Sequence, residues 1–588
     1  MINTILGQYM IRSNYSARPL VFFLCFLLVA CGSGKGGLTQ EEIIGQFISS
    51  IESVGSADNL VTESAITSDD FVLEFENGER YSISTGLVTH TEYNLSIKLK
   101  FIDGSEIELP SLNTGIVINM LEEPGSNVPL SRKFSVDLPF SGVLSWTSFG
   151  RNGEASNVIG IPFDVEAGLA QFYAHGLYIQ DSTVVEVNYS NSEGVIRWAE
   201  TFSVLPGEVN QSVRDIEFTA SNFKNDTAIR LFLGKHRSNN IPWMIDQFGD
   251  IRWTINVVLG AYGLQQTDSG NIIAVGGSQI SVASLSGEIN SYEIPLKYGD
   301  IHHDVDPVDD SQFLLTVNNP NGETIEDWII LYDVNALSVV REWNLNLSVP
   351  KMNMLIDDPV DWFHVNALAF DERDQSILIS GQRSAVVKVS WDNDLKWILT
   401  DPARVTNDAL MGIQGAEGRS AGDMTLSEFE EDIIAWGQHD IRVDTSDDSY
   451  FLFDNGLGRF YSSDISFSRG IKFTIDEESR RYNIVESYGE QRTEFYSPII
   501  SGIDFDGAGS VLVNFGSIGY GITYNAEQKN IECLNENRCF KDEYPGYGAA
   551  WLEYDDQNEL RTEILISYPD GSGRDAGTYR ARYGHLNN

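Results

Sequence analysis

Residues 329–343 read IILYDVNALSVVREW, which is an alternating apolar strand, an acidic turn and a second strand that ends on an aromatic residue. Two such strands joined by a short polar turn are typical of a β-hairpin. The pattern returns five more times, at residues 243–253, 280–290, 386–397, 471–485 and 549–561. Six copies over roughly 370 residues give a period of roughly 60, longer than the roughly 40 to 50 residues of common propeller blades. The repeat therefore predicts an all-β fold with a six-bladed β-propeller over residues 213–588.

The chain upstream of the repeat also alternates between apolar and polar residues. Residues 61–122 contain LEFENGERYSIS and SIKLKFIDGSEIEL, whose Asn-Gly and Asp-Gly turns predict a small β-unit. Residues 123–212 carry short alternating strands with frequent turn signals, which predict a small β-sandwich similar to a fibronectin type III domain. Residues 32–60 read as a linker with one short amphipathic helix at 39–51. Within the propeller, residues 405–431 depart from the strand pattern and are expected to overhang the channel mouth.

The chain is strongly acidic. It has 39 Lys and Arg against 85 Asp and Glu, a net charge of -46. Such a surface repels phosphate backbones and anionic lipid headgroups, so nucleic acid is excluded as a partner. An anionic substrate would need a local basic focus inside this acidic shell.

The N-terminus is typical of an exported protein. Arg12 and Arg18 precede an apolar run at residues 19–30, which is short for a membrane span and predicts a cleaved signal over residues 1–31. Leu28-Val29-Ala30-Cys31 resembles a bacterial lipobox, so Cys31 is the expected lipidation site. This predicts a periplasmic protein that touches the membrane only through a lipid anchor, with the outer membrane as the expected location. A plain signal peptide cut elsewhere is the alternative.

Two cysteines remain for the folded body of the protein, Cys533 and Cys539. In an oxidising compartment a pair this close in sequence predicts a structural disulfide. A redox or metal role is disfavoured, because no histidine or third cysteine lies nearby in sequence.

Four of the eight histidines fall in three short islands next to predicted strands. The islands are IHHDVD at 301–306, DWFHVNALAFDERDQSILISGQRS at 361–384 and GQHDIRVD at 437–444. His364 and Asn366 are two residues apart, so an extended strand would place them on one face, and Arg383 follows a turn on the next strand. An imidazole, an amide and a guanidinium on adjacent strands predict a site for an anion.

The three islands, together with GTYRARYG at 577–584, resemble the bacterial aryl-sulfate sulfotransferase family. The resemblance covers roughly the last two thirds of the chain. It implies a periplasmic six-bladed propeller that moves a sulfuryl group from a phenolic sulfate ester to a phenol by a ping-pong mechanism. No cofactor and no adenylyl sulfate donor are implied.

The resemblance also implies roles for individual residues. His439 stands at the family's nucleophile position and would form a sulfohistidine intermediate, with His303, His364 and Arg383 as further catalytic residues. His364, Arg383 and Asn366 match residues that hold sulfuryl oxygens, His303 would serve as oxyanion donor or as acid for the leaving phenol, and Tyr579 is expected to touch the aryl group or its oxygen.

Two neighbours of these residues are ambiguous. On a strand only one of His302 and His303 faces the channel, and aligning HHD with the later QHD favours His303. Asn455 either closes a turn or orients His439 from behind.

Two other classes of function compete with transfer. A propeller can bind glycans or proteins without catalysis. The histidines could also hold the metal of a hydrolase or sulfatase, although no carboxylate stands beside them at a recognised ligand spacing, so no metal ligand is assigned.

Overall fold

The computed structural model describes strand backbones between residues 72 and 113, and then residues 117–586 apart from short gaps. The gaps are 122–125, 139–140, 191–195, 225–227, 237–238, 354–356, 429–435, 458–466, 519, 521, 526–527, 529, 534–545 and 568–576. The predicted signal with Cys31, the helix at 39–51, Cys539 and the side chain of Cys533 lie outside the described residues. In the part of the chain that is described, no helix is both long and apolar enough to cross a bilayer.

The first five strands form one antiparallel sheet. They are β1 Val72–Glu74, β2 Arg80–Leu87, β3 Asn94–Phe101, β4 Glu106–Glu108 and β5 Leu112–Asn113. Strands β1 and β2 flank the Asn77-Gly78 pair, and β3 and β4 flank Asp103-Gly104, so both predicted turns fall between paired strands.

The next eight strands form a two-sheet sandwich. They are β6 Val117–Met120, β7 Ser131–Leu138, β8 Gly142–Ser148, β9 Val158–Ile159, β10 Phe163–Val165, β11 Gly168–His175, β12 Thr183–Ser190 and β13 Ile196–Val204. One sheet has the order β11-β7-β6; the other has β10-β8-β12-β13 with β9 on β8. Phe134 of the first sheet meets Phe202 of the second at 5.1 Å between ring centroids, so alternate residues of both sheets fill one core.

The rest of the chain is a six-bladed propeller, as the repeat predicts. Its strands are β14 Glu217–Asn222, β15 Leu231–His236, β16 Pro242–Asp246, β17 Ile251–Thr254, β18 Tyr262–Gln266, β19 Ile272–Gly276, β20 Gln279–Ala283, β21 Ile289–Glu293, β22 Ile301–Pro307, β23 Gln312–Val317, β24 Trp328–Asp333, β25 Ser338–Asn344, β26 Val365–Asp371, β27 Ser376–Gly381, β28 Val386–Ser390, β29 Leu395–Leu399, β30 Thr425–Glu428, β31 His439–Asp444, β32 Ser449–Asp454, β33 Arg469–Asp476, β34 Arg481–Tyr488, β35 Gly502–Phe505, β36 Val511–Phe515, β37 Ile522–Asn525, β38 Asn530–Cys533, β39 Ala549–Tyr554, β40 Leu560–Ser567 and β41 Thr578–Gly584. Their innermost strands, β41, β18, β22, β26, β31 and β35, contact one another in a closed ring.

The ring is closed by strands from both ends of the propeller. The C-terminal strand β41 is the innermost strand of the first blade, in the order β41-β15-β16-β17. Strand β14, which precedes the first blade, is added to the outer edge of the last blade, in the order β35-β36-β39-β40-β14. The first pairing joins residues 231–236 to 578–584 and the second joins residues 217–222 to 562–567, so the first and last blades are held together by backbone pairing.

The six repeats seen in sequence are the third and fourth strands of the six blades. Residues 243–253 span β16 and β17, and residues 549–561 span β39 and the start of β40. Their aromatic residues pack between blades; for example, Trp243 and Trp551 stack at 5.2 Å. Gly234 of β15 faces this pair, where an added Cβ would lie 2.5 Å from the Trp551 ring, so the close stacking requires glycine.

The sandwich is docked on the first blade through Arg252, which is fully buried. Arg252 donates to the Gly176 carbonyl at 2.7 and 3.1 Å and to the Ser156 carbonyl at 2.8 Å, and it lies over the Tyr178 ring. Its charge is paired with Asp246 at 3.0 Å. A buried guanidinium with these partners fixes the sandwich to the blade.

The segment at 405–431 lies elsewhere than expected. Strand β30 within it pairs in parallel with β29 of the fourth blade and with β34 of the fifth, so it bridges the outer edges of two blades into one nine-stranded sheet. Three α-helices of four residues occur among the described residues: α1 Gln211–Arg214, α2 Leu345–Ser348 and α3 Ala421–Met424. The described part of the chain also has 3₁₀ turns at Gly153–Ser156, Leu296–Tyr298, Pro402–Arg404, Asp408–Leu410 and Thr493–Phe495.

Candidate active site

The candidate site lies where the innermost strands begin. Residues at the starts of β41 and β18, and just before β26, meet there around His303 of β22. The ring of His303 contacts one ring from each of these three segments. Its ring centroid is 4.7 Å from that of His364, 5.5 Å from that of Tyr262 and 6.3 Å from that of Tyr579. Three predicted site residues, His303, His364 and Tyr579, are therefore neighbours.

His303 and His302 both approach the site. Their Nδ1 atoms are 2.9 Å apart, and the two rings stand nearly perpendicular. His302 is buried, and no partner for its Nε2 atom is found within the described residues. Burial lowers the pKa of His302, and burial together with the nearby His364 charge lowers the pKa of His303 well below its ordinary value. Burial thus favours the neutral form of both rings.

His364 has the opposite charge state. It precedes β26 with a left-handed φ of 58°, so it is not part of the extended strand and does not share a strand face with Asn366. Its Nδ1 atom lies 2.7 Å from Glu326 Oε2 and 2.7 Å from Asp361 Oδ2. Burial disfavours the charge on His364, but the hydrogen bond to Asp361 and the ion pair with Glu326 outweigh it and raise the pKa of His364 to about 9.

Arg383 reaches the site through the same carboxylate. It lies in the turn between β27 and β28, not on a strand, and its Nη2 atom is 2.8 Å from Asp361 Oδ2. Its Nη1 atom is 2.6 Å from Asp358 Oδ2. Asp361 thus joins the guanidinium of Arg383 to the imidazole of His364.

His439 is the first residue of β31 and is 3% exposed. Its Nδ1 atom is 2.8 Å from Asn455 Oδ1, while the Asn455 amide nitrogen donates to the carbonyls of Ser497 and Ile500 at 2.7 and 2.9 Å. These two bonds orient the Asn455 amide so that its oxygen faces His439, which must then carry its proton on Nδ1. The lone pair is left on Nε2, which accepts a long hydrogen bond from the Ile500 N–H at 3.3 Å.

His439 shares the electrostatic environment of the other histidines. Burial lowers the pKa of His439 to about 3, and the charges of Arg580 and His364 add to the effect. The neutral form is therefore complete at neutral pH, beyond what an ordinary imidazole would give. His439 and Arg580 in turn contribute to the lowered pKa of His303. The pKa values of the histidines in the site therefore depend on one another and on Arg580.

Asn366 acts on the backbone beside His439. It is fully buried, and its amide nitrogen donates to the carbonyl of Gln438 at 2.7 Å. Arg580, also fully buried, donates to the Asn366 carbonyl at 2.8 Å and to the Ser501 carbonyl. The Asn366 Oδ1 atom has no partner within the described part of the chain.

The backbone of the site is irregular. His303, His364, Asp440 and Ser501 all have positive φ, at 54°, 58°, 62° and 89°. The pairing register shifts in the first half of β22, β26 and β31, where these histidines lie. Left-handed residues other than glycine cost energy, and they accumulate where a site requires a particular side-chain direction.

A second layer of charged residues lies further along the same strands. Asp304, Asp306, Asp440 and Asp504 accept backbone N–H groups of the following blade, from Leu368, Phe370, Ile503 and Tyr583, at 2.8 to 3.1 Å. Arg582 holds Asp440 through two bonds of 2.7 and 3.0 Å, and Arg442 lies 3.1 Å from Asp306. We call these four carboxylates with Arg442 and Arg582 the staple layer, because they join neighbouring blades.

Glu326 is the residue that sequence reasoning missed. It lies in the loop before β24, and its carboxylate brings together two groups of metal-ligand type: with His302 and His303, and with Asp361 and His364. In each group the ligand atoms lie within 4.8 Å of one another. Spacing along the chain gave no carboxylate beside the histidines, but the fold supplies two.

Comparison with known proteins gives a consistent family assignment. The family model described as Arylsulfotransferase (ASST) matches residues 217–550. The chain is 25% identical over 362 residues to Arylsulfate sulfotransferase AssT of Escherichia coli O6:H1 (strain CFT073), and 24% identical over 367 residues to the protein of the same name from Lelliottia amnigena. Each match covers 50% of this chain, which spans 60% of the length of these curated relatives.

Two solved structures are also similar. A protein of unknown function from Bacteroides thetaiotaomicron matches with a TM-score of 0.28 and 10% identity, covering 76% of this chain and 99% of that one. The structure of U3-55K matches with a TM-score of 0.30 and 7% identity, covering 76% and 98%.

Proposed function

The chain belongs to the arylsulfotransferase (ASST) family, and from this membership we propose that it transfers a sulfuryl group from a phenolic sulfate ester to a phenol through His439. The observation that carries the proposal is the fixed tautomer of His439. Asn455 accepts from its Nδ1–H, so the lone pair that would attack sulfur is on the neutral Nε2, where it accepts only the long 3.3 Å hydrogen bond from the Ile500 N–H that the donor would displace.

The neighbouring groups support binding of the sulfuryl group. His364 carries a positive charge, and Arg383 and Arg580 add two more cations within an otherwise acidic protein. Cations and N–H donors stabilise the charge that spreads over the three sulfuryl oxygens during transfer, as in phosphoryl transfer. Tyr262 and Tyr579 place two aromatic faces beside His303, where the aryl ring of a donor would pack.

The proposed reaction has two balanced halves. In the first, Nε2 of His439 forms a bond to sulfur while the sulfur–oxygen bond to the aryl group breaks, and the phenolate leaves and takes up a proton. In the second, an acceptor phenol loses its proton, its oxygen bonds to sulfur and the nitrogen–sulfur bond breaks. The net change exchanges a sulfuryl group for a proton and requires no nucleotide donor.

The test is covalent labelling of His439. Brief exposure to p-nitrophenyl sulfate without an acceptor should add one sulfuryl group to the peptide that contains His439, and adding phenol should remove it. His439→Asn should lose the label and lower transfer by about a thousandfold or more. His585→Asn, which changes a histidine beyond the far end of β41, is the matched control and should keep both. Labelling that persists in His439→Asn would refute the proposal.

A metal-dependent sulfatase is the second candidate, and the Glu326 cluster is the observation that favours it. In that case water would replace the acceptor phenol, and a divalent cation would bind the histidines and carboxylates. Elemental analysis of the purified protein decides between the two, because stoichiometric zinc, manganese or iron together with loss of activity in chelator would favour the hydrolase.

We also propose that the protein works in the periplasm, anchored to the outer membrane through lipid on Cys31. The support is the sequence of residues 19–31. Cell fractionation with a Cys31→Ser variant tests the anchor. The parent protein should sediment with outer membranes, and the variant should be released or remain unprocessed.

A further inference from the structure

One short loop of the sixth blade controls both ring nitrogens of His439. It comprises residues 497–501, SPIIS, between the 3₁₀ turn at Thr493–Phe495 and β35. We propose that four buried serines fix this loop, and with it the ring of His439, as positioning residues for the attack on sulfur. They are Ser468, Ser497, Ser501 and Ser517, the serine cluster. The proposal rests on the transfer function proposed above, and it assigns a role to residues that lie in none of the three sequence islands.

The 497–501 loop reaches His439 from two sides. On one side, the carbonyls of Ser497 and Ile500 accept the amide N–H groups of Asn455 at 2.7 and 2.9 Å. The oxygen of that amide lies 2.8 Å from Nδ1 of His439. On the other side, the Ile500 N–H donates to Nε2 at 3.3 Å. Turning the ring over would break both contacts, because each nitrogen would exchange places with a ring carbon. The loop therefore selects one ring orientation and one tautomer.

The backbone of this loop does not adopt its shape by intrinsic preference. Ile500 and Ser501 are successive non-glycine residues with left-handed φ, at 50° and 89°. A β-branched residue such as isoleucine rarely adopts this conformation. Left-handed residues of this kind cost free energy and persist only where the surrounding structure holds them. The loop therefore depends on contacts from outside its own backbone.

The hydroxyls of the serine cluster supply these contacts. The Ser497 hydroxyl lies 2.8 Å from that of Ser501 and 2.7 Å from that of Ser517. The Ser517 oxygen is 2.6 Å from the Ile499 carbonyl, which can only accept. Because each hydroxyl has one proton, Ser517 donates to this carbonyl, Ser497 donates to Ser517, and Ser501 donates to Ser497. The chain of hydrogen bonds thus runs in one direction and ends on the loop itself.

The same hydroxyls accept backbone N–H groups from the segment that follows β36. Ser497 Oγ accepts the N–H of Ser517 at 2.8 Å, and Ser501 Oγ accepts that of Gly516 at 3.0 Å. Ser517 Oγ accepts the Ile499 N–H at 3.3 Å. All three hydroxyls are fully buried and fully used, and a satisfied buried network of this kind makes its surroundings rigid.

Ser468 joins the loop to Asn455. It lies just before β33 of the fifth blade, and its hydroxyl donates to the Asn455 carbonyl at 2.8 Å. The same oxygen accepts the N–H of Ser497 at 2.9 Å. Asn455 is therefore bonded to the loop through its side chain and, by way of Ser468, through its main chain. The partner of His439 Nδ1 and the donor to Nε2 are parts of one fixed unit.

Ser517→Ala tests the proposal because the Ser517 hydroxyl bonds to loop residues and the change is small. With p-nitrophenyl sulfate, we expect the rate of sulfuryl labelling to fall about tenfold, since the Ile499 carbonyl loses its donor and the ring loses its fixed orientation. Ser501→Ala should lower the labelling rate to a similar extent, and it provides the test if Ser517→Ala does not fold.

Ser148→Ala is the matched control. It also removes a fully buried hydroxyl that donates to a carbonyl, that of His175 at 2.6 Å, but in the sandwich. Its labelling rate should stay within about twofold of the parent. Ser517→Ala and Ser148→Ala should lower Tm by similar amounts, so a difference in labelling between them cannot come from stability.

A spectroscopic measurement separates this proposal from the transfer function. In protein with isotopically labelled histidine ring nitrogens, assigned with His439→Asn, the parent should show His439 with a protonated Nδ1 and an unprotonated Nε2. Ser517→Ala should show both tautomers in exchange, whereas Ser148→Ala should match the parent. This measurement needs no sulfate donor, so if the parent takes up no sulfuryl group, only the transfer function is lost.

Two results would overturn the role of the serine cluster. One is a single His439 tautomer together with a labelling rate within about twofold of the parent in both Ser517→Ala and Ser501→Ala. The other is a fall in the labelling rate of Ser148→Ala as large as that of Ser517→Ala, which would show that loss of any buried hydroxyl slows the reaction.

Discussion

The inner strands of the propeller carry two layers that differ in almost every physical respect. At the strand starts, His303 and His364 have left-handed backbone and the pairing registers shift, and the buried His302 Nε2, Asn366 Oδ1 and Tyr579 hydroxyl have no partner in the described structure. From the very next residues onward, the staple layer pairs carboxylates with guanidinium groups and with backbone N–H groups of the next blade. The two layers belong to the same strands, so the difference comes from the side chains and not from the fold.

The comparison separates groups that hold the propeller together from groups that are available for chemistry. In the staple layer each of the four carboxylates has a fixed partner across a blade boundary, which makes it a structural contact. In the site layer the Tyr579 hydroxyl and the Asn366 amide oxygen have no partner among the described residues, and the His439 Nε2 atom accepts only a long hydrogen bond from the Ile500 N–H. Irregular backbone and open polar atoms are costly, and a protein retains them where they are used.

The largest expected effect on stability comes from removing one charge from the staple layer. Asp440→Asn leaves Arg582 buried without its partner, and we expect a loss of about 3–5 kcal/mol in the free energy of unfolding, measured by urea denaturation. Burial opposes ionisation of Asp440, but Arg580, Arg582 and Arg442 outweigh it and hold its pKa below the ordinary value, so the carboxylate is charged in the parent.

The matched controls come from both layers. Asp440→Leu combined with Arg582→Met removes both charges and should cost less than Asp440→Asn alone. His303→Gln in the site layer should change stability by less than about 1 kcal/mol. If His303→Gln destabilised the protein as much as Asp440→Asn, the two layers would not differ in function.

The fold could be predicted from sequence because each blade ends in a regular hairpin. The third and fourth strands alternate between a packed and a more exposed face, as in Ser338–Asn344, and this gives a visible period of two. The inner strands are buried on both faces and lack this signal. The two closing strands were equally hidden, since β41 pairs with β15 nearly the whole propeller away and no local pattern records such pairing.

The candidate site could be predicted only in part, for a related reason. His303, His364, His439 and Arg383 stand in recognisable islands, but the structure connects Arg383 to His364 through Asp361. Glu326 belongs to a loop of a different blade and has left-handed backbone itself. Neither the spacing nor the periodicity of the sequence indicates such a contact. Strand alternation also failed for His364 and Asn366, because a bulge at the start of β26 interrupts the extended backbone.

Within the site layer, the largest effect on sulfuryl labelling should come from removing the group that fixes the His439 proton on Nδ1. Asn455→Leu keeps the branched shape of the side chain but cannot accept from Nδ1–H, so the ring can turn or change tautomer. We expect the rate of sulfuryl labelling to fall about a hundredfold with secondary structure unchanged by circular dichroism. Combined with His439→Asn, the same change should have no further effect, since both act on one step. A labelling rate within twofold of the parent would show that Asn455 does not set the tautomer.

Tyr579→Phe should give a smaller effect with opposite signs on stability and transfer. The Tyr579 hydroxyl is buried and has no partner among the described residues, so removing it should leave stability unchanged or raise it by up to about 1 kcal/mol. Transfer from p-nitrophenyl sulfate should fall about tenfold, because the hydroxyl would lose its bond to the aryl oxygen. Loss of stability without loss of transfer would place Tyr579 with the structural groups instead.

The smallest expected effect is a near absence of pH dependence in the first half-reaction. An imidazole of ordinary pKa near 6.5 would be about thirtyfold less available at pH 5 than at pH 7. Burial lowers the pKa of His439 to about 3, so its charged form appears only as the pH falls through that value, and His364, with its pKa near 9, stays charged at both pH values. Labelling rates from rapid quench at pH 5 and pH 7 should therefore agree within about twofold.

Asn455→Asp supplies the control, because a carboxylate partner should raise the pKa of His439 as Glu326 and Asp361 do for His364. The labelling rate of this variant should then fall at pH 5 relative to pH 7. A steep pH dependence in the parent would mean that His439 is not held neutral, and the contrast between an amide partner and a carboxylate partner would lose its basis.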